Sequence, residues 1–196
     1  MKRTIHKLFY YAVGTFGSKV IYFLLVPFYS FFLSKSELGF YDLILASLTI
    51  LTPIITIQVS DAVYRELHDP VKQSLKSAKA FSSGFSVVLL GLLIFALVAF
   101  IFNKFFVNKI FYELLLIQSS FTLYIFFQQS LRGLSLNREY AFMGTINACL
   151  LVLFSIALIC FSAIELSNIV LAIACAQFIS IVYAVYKINF FKLFEI

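Results

Sequence analysis

The sequence predicts an all-α integral membrane protein: a bundle of six transmembrane helices with both ends on the cytoplasmic side. Three observations predict it. The first is composition: 62% of the 196 residues are hydrophobic and 12% charged, with a mean hydropathy of +1.01. Soluble domains hold roughly 45–50% apolar and about 25% charged residues, and a water-soluble domain of this size cannot hide so much apolar surface. The second is pattern, since short polar breaks divide the chain into six apolar runs. The third is the placing of lysine and arginine, which favours alternate breaks. The aromatic share is also high, with 25 Phe, 11 Tyr and no Trp, and tyrosines near helix ends suit an interfacial belt.

The runs lie at 8–33, 41–67, 78–102, 110–131, 141–162 and 168–186, within a single transmembrane domain over 1–196. Each is long enough for a hydrocarbon core of about 30 Å, which takes about 20 helical residues. The first follows a basic stretch, as a signal peptide would, but it is too long and lacks a small-residue cleavage site, so it reads as an uncleaved helix. Pro27 should kink it near its outer end. The second carries Asp42, Ala46, Thr49, Pro53, Thr56 and Ser60 at three- or four-residue spacing, hence on one helix face. Pro53 removes a mid-span hydrogen bond and should kink that helix too. The third and sixth read as scaffold, with Ser82, Ser86, Gln177 and Ser180 as scattered polar points. In the fourth, Gln118, Thr122, Gln129 and Arg132 share a face; the fifth contains Asn147. Short links such as Ser34-Lys35-Ser36-Glu37 and Glu165-Leu166-Ser167-Asn168 imply antiparallel neighbours. The alternating pattern of membrane strands is missing, which argues against a barrel.

Orientation follows from the basic residues. With the N-terminus inside, eleven of the 15 lie in cytoplasmic segments: Lys2, Arg3, Lys7, Arg65, Lys72, Lys76, Lys79, Arg132, Arg138, Lys187 and Lys192. Lys35, Lys104 and Lys109 fall outside, and Lys19 lies within the first span. The net charge of +6 is spread through loops rather than packed into a patch, which points to anionic lipid headgroups and away from nucleic acid. Cys149, Cys160 and Cys175 lie in apolar stretches without metal or disulfide spacing. His6 and His68 sit alone at membrane edges. With no Gly-rich phosphate loop, no His-Glu-x-x-His and no nucleophile elbow, neither an enzyme nor a metal or other cofactor is expected.

Lys19 is the leading candidate for a binding residue, because an ionisable group at membrane depth needs a partner or a wet cavity. It falls two residues from the midpoint of the Lys7–Lys35 interval, about 3 Å from the bilayer centre at 1.5 Å per residue. It reads either as a cavity-facing cation that meets an anionic ligand or as a structural lysine bonded to a neighbouring helix. Thr49 and Thr56 read as cavity lining or as close helix packing. Asp61 and Arg65, four apart, read as an interfacial ion pair or as a gate, with Arg65–Asp69 as a second possible pair. Gln118, Thr122 and Asn147 are suited to hydrogen-bonding sugar groups or to joining helices, the latter at about 1 kcal/mol each.

A family resemblance adds to this. Gly14-Thr15-Phe16-Gly17-Ser18-Lys19, then Val26-Pro27, then Leu33 through Asp42 (LSKSELGFYD) resemble the start of Wzx-type polysaccharide (O-antigen) flippases of the MATE-like superfamily. Pro53 and Asp61-Ala62-Val63-Tyr64-Arg65 continue the likeness, as does the loop Arg132-Gly133-Leu134-Ser135-Leu136-Asn137-Arg138. The resemblance implies export of an undecaprenyl-pyrophosphate-linked oligosaccharide across the bacterial plasma (inner) membrane. It implies alternating access of a central cavity between two six-helix lobes, with Lys19 as a contact for the pyrophosphate. Members usually have 12 to 14 spans. Six spans therefore correspond to the N-terminal lobe, in a half-length or truncated form, with the second lobe supplied by another copy or another chain. Two other functions fit a six-span chain: a membrane substrate-binding subunit of a multi-component transporter, and a non-transporting scaffold of a polysaccharide assembly complex.

Overall fold

A computed structural model describes residues 2–68, 75–105, 110–161 and 165–188, with side chains described over 16–68, 78–101, 112–161 and 165–188. Every regular element in it is α-helical. In chain order these are α1 (Lys2–Phe32), α2 (Lys35–Thr56), α3 (Val59–His68), α4 (Leu75–Phe105), α5 (Ile110–Gly133), α6 (Asn137–Cys160) and α7 (Leu166–Ile188).

Among the described residues, seven helices stand where six apolar runs were expected, because the run at 41–67 divides. Its first part starts earlier than the hydropathy suggests. Ser34 caps α2, its hydroxyl accepting the Glu37 N–H at 3.3 Å while the Glu37 carboxylate accepts the Ser34 N–H at 2.9 Å. This reciprocal pair satisfies two backbone donors that a helix start leaves bare. The helix then runs through Pro53 and ends at Thr56, where Ile57 and Gln58 take left-handed backbone angles, φ 49° and 59°. Twenty-two residues rise about 33 Å, so α2 is long enough to cross a bilayer core without α3. Consistent with that, α3 is amphipathic: Ser60, Val63 and Leu67 are buried, and Asp61, Arg65, Glu66 and His68 are exposed. Two glycines let the broken segment sit close to its neighbours. A Cβ at Gly91 of α4 would lie 2.1 Å from the Ile55 carbonyl oxygen, and one at Gly133 would lie 2.8 Å from Leu67 Cβ.

Among the described residues, four helices are long and apolar enough to cross a membrane: Lys35–Thr56, Ala78–Ile101, Asn137–Cys160 and Leu166–Ile188, with Phe16–Phe32 a shorter apolar helix. The helix α5 is not among them, and packing explains why it need not be. It touches α2, α3, α4, α6 and α7, and Gln118, Ser120, Thr122 and Ser130 on it are fully buried. A helix surrounded by protein can hold polar side chains that lipid would not tolerate. Outward-facing α4 is the opposite case, with Leu89, Leu93, Ile94 and Leu97 exposed.

Two apolar clusters pack the bundle. One gathers Tyr29, Tyr41, Leu48, Ile117, Leu151 and Ile173 towards the α1–α2 connection. The other gathers Val63, Phe81, Phe126, Leu131, Met143 and Ile181 towards the α5–α6 connection. Between them runs a belt of inter-helix hydrogen bonds. Gln118 donates to Thr52 at 2.9 Å, Ser120 donates to Gln177 at 2.6 Å, and Asn147 donates to Tyr22.

Candidate functional site

At the level of this belt the bundle is hollow. A cavity of about 400 Å³ opens among α1, α2, α5, α6 and α7. From α1 come Ser18, Lys19, Tyr22 and Val26, which helical spacing sets on one face. From α6 come Tyr140, Gly144, Asn147 and Leu151, again at three- or four-residue intervals. The α5 wall is Phe121, Tyr124 and Gln128; Tyr41, Leu45 and Leu48 close the α2 side, and Ile173 and Gln177 the α7 side.

Lys19 is exposed and supplies the cavity's one positive charge among its described lining residues. Around it the wall is aromatic and neutral-polar. Gln128 donates to the Tyr124 hydroxyl at 3.1 Å. Asn147 is 3% exposed; its amide nitrogen donates to the Tyr22 hydroxyl, and its Oδ1 has no partner. An acceptor left bare at such burial costs about 1–3 kcal/mol, and a donor from an incoming molecule would remove that cost. One cation, one free acceptor and four tyrosines suit a ligand that carries an anion beside hydroxylated rings.

Of the residues expected to bind, Lys19 and Asn147 line the cavity. The other four do not. Thr49 is exposed on α2, its hydroxyl turned to the Ala46 carbonyl at 2.7 Å, and with Asp42 it sits beside the cavity face of that helix. Thr56 is buried, donating to the Thr52 carbonyl at 2.8 Å. Gln118 and Thr122 are fully buried, joined at 3.2 Å, and hold α5 to α2 through Thr52. Asp61 and Arg65 are both exposed and not paired with each other; Asp69 lies outside the described residues, as do Lys72, Lys192 and the side chains of Lys104 and Lys109. Pro53 is half-buried inside α2, and Pro27 is exposed inside α1. Sequence reasoning missed Tyr22, Tyr124, Gln128 and Tyr140. The spacing of Tyr140, Gly144, Asn147 and Leu151 was a signal that a face-by-face reading of the fifth run would have found.

The family described as polysaccharide biosynthesis protein matches residues 5–196. The chain belongs to this family. Its membership agrees with the resemblance read from Gly14 through Asp42, and it covers the helices α5 to α7, where the sequence likeness rested on little beyond hydropathy and one loop. No curated protein and no solved structure matches the chain. For a polysaccharide biosynthesis protein built from apolar helices, a membrane location and a role in polysaccharide export follow.

Proposed function

We propose that this chain forms one lobe of a flippase that carries an undecaprenyl-pyrophosphate-linked oligosaccharide across the bacterial inner membrane, without covalent chemistry. The six spans are α1, α2, α4, α5, α6 and α7, with both ends in the cytoplasm. The observation that carries the reading is the cavity at the polar belt, where Lys19 meets a wall of tyrosines and amides. A cation in a low-dielectric site attracts a phosphate far more strongly than it would in water, and tyrosine faces with neutral hydrogen-bonding groups suit sugar rings. Thr49 and Asp42 are polar, exposed and beside the cavity. At membrane depth such a face fits protein or a wet passage better than lipid, which favours a second six-helix lobe there. Movement of one lobe against the other then exposes the cavity to each side in turn.

The test is complementation of polysaccharide export. Lys19→Ala is expected to abolish export while leaving membrane insertion unchanged, and Lys19→Arg to retain part of it. Full export by Lys19→Ala would remove the phosphate contact, and loss of insertion would make Lys19 structural.

A further inference from the structure

We propose that the break between α2 and α3 is a hinge: the segment exchanges between the bent form of this structure and one continuous helix, and α2 couples that exchange to the polar cavity. The coupling rests on the flippase reading; the hinge does not. The buried face runs through the break without a change of phase. Leu48, Thr52, Thr56, Ser60, Val63 and Leu67 are all buried, at spacings of three or four, which is the stripe of a single helix. A sequence patterned for one helix is thus held as two.

The bend is unfavourable at two places. Ile57 and Gln58 are consecutive left-handed residues, φ 49° and 59°, and each carries a Cβ, so each is strained. The Ile57 side chain is 78% exposed, so its own packing does not hold the turn. One turn on, the Ser60 hydroxyl is buried without a partner. Elsewhere in the bundle, buried hydroxyls bond the carbonyl four residues back: Thr52, Thr56, Ser130, Ser155 and Ser180 all do so. For Ser60 that carbonyl belongs to Thr56, the last residue of α2, and the left-handed turn carries it away. A continuous helix would remove the strain and return this acceptor to Ser60.

Something must offset these losses in the bent form, and it lies on α4. The Ile55 carbonyl, which would accept the Val59 N–H in a continuous helix, instead lies against Gly91, where a Cβ would be 2.1 Å away. A carbonyl so close to a glycine Cα makes a weak C–H···O contact of the kind found between helices, and any side chain there would displace it. Strain and a bare hydroxyl on one side, and a glycine seat on the other, make a two-state element. The same helix walls the cavity through Tyr41, Leu45 and Leu48. Between that wall and the break stands Thr52, bonded to Gln118 of α5 at 2.9 Å. A ligand that shifts α2 therefore acts on the hinge, and the hinge on the cavity.

The experiment is nuclear magnetic resonance of the full chain in nanodiscs of phosphatidylethanolamine and phosphatidylglycerol. Glutamine labelled at its carbonyl carbon and valine labelled at nitrogen single out the Gln58–Val59 peptide, a pair that occurs once in the sequence. Two signals are expected, one with the carbonyl shift of a continuous helix and one of the left-handed turn. Gly91→Ala should raise the ratio of helical to bent signal about fivefold. Ile57→Gly should lower it about fivefold by relieving the turn, and Ser60→Ala by a similar factor by removing the hydroxyl that only the continuous helix satisfies. A single signal throughout, or one ratio in the wild type and all variants, would overturn the hinge. Should Gly91→Ala fail to fold, Ile57→Gly and Ser60→Ala decide it alone. Inorganic pyrophosphate should shift the wild-type ratio about fivefold and leave that of Lys19→Ala unmoved. Ratios that answer to the variants but not to pyrophosphate would keep the hinge and overturn its coupling to the cavity. Export by Lys19→Ala is read separately, so a failed phosphate contact leaves the variant ratios standing.

Discussion

Asn147 carries two opposing energies. Its hydrogen bond to Tyr22 ties α6 to α1, and its unpaired Oδ1 works against the fold. Removing both should nearly cancel, since a hydrogen bond contributes about 0.5–1.5 kcal/mol and a bare buried acceptor costs about 1–3. Asn147→Ala is therefore expected to shift thermal stability in detergent by no more than about 1 kcal/mol while export falls clearly. A fall in stability with unchanged export would make it a packing residue. Glycines separate in the same way. Gly91→Ala would drive a methyl into the Ile55 carbonyl, 2.1 Å away, whereas Gly144→Ala meets ordinary contacts at 3.7–3.9 Å. The first should cost about 1–3 kcal/mol and the second almost nothing, as read from paired melting curves. Lys19 and Asn147, which line the cavity, were legible as candidates because charge and amide stand out in hydrocarbon. Gln118 and Thr122 stood out equally, yet they serve the core. What distinguishes them is Thr52, 66 residues from Gln118, a partner that local pattern cannot reveal. The cavity tyrosines went unread because tyrosine in a membrane chain also suits the interface.

At the scale of elements, hydropathy located the apolar helices and missed where helices begin and break. Ser34 through Glu37 reads as a polar interruption, but its chemistry is a capping box, with Ser34 and Glu37 holding each other's backbone donors. Ser34→Ala should cost about 1 kcal/mol, measured as a fall in the melting midpoint of the purified chain; an unchanged midpoint would mean that the cap contributes nothing measurable. The break after α2 was harder to read. Pro53 is the visible helix-breaker, yet α2 runs through it and ends at Thr56, capped by Ile57, a β-branched residue held at φ 49°. A left-handed residue with a Cβ costs roughly 1–2 kcal/mol, so Ile57→Gly is expected to stabilise the chain by about 1 kcal/mol. A denaturant titration that shows destabilisation would mean that the exposed Ile57 side chain contributes more than the backbone loses. Such a break escapes sequence reading because it is imposed from outside, where Gly91 and Gly133 let α4 and α5 draw in on either side of it.

For the whole molecule the decisive question is which way the bundle faces. The end that joins α5 to α6 carries Arg132 stacked over Tyr64, Arg138, and Lys187 beside Glu139 at 3.9 Å. The opposite end, at the α1–α2 connection, offers Lys35 with Glu37. Short loops rich in lysine and arginine stay in the cytoplasm because moving them across is costly, so the arginine-rich end should face inwards, and α3 with it. Single cysteines in a background without the three native ones test this directly. A membrane-impermeant maleimide should label Ser36→Cys on intact cells, and Ser135→Cys only after permeabilisation; both positions are exposed. The reverse pattern would place the α5–α6 connection outside, turn the cavity's route of loading round, and remove the both-ends-inside topology. Labelling of both positions on intact cells would mean mixed orientation, in which the basic residues at one end do not suffice to set the direction of insertion.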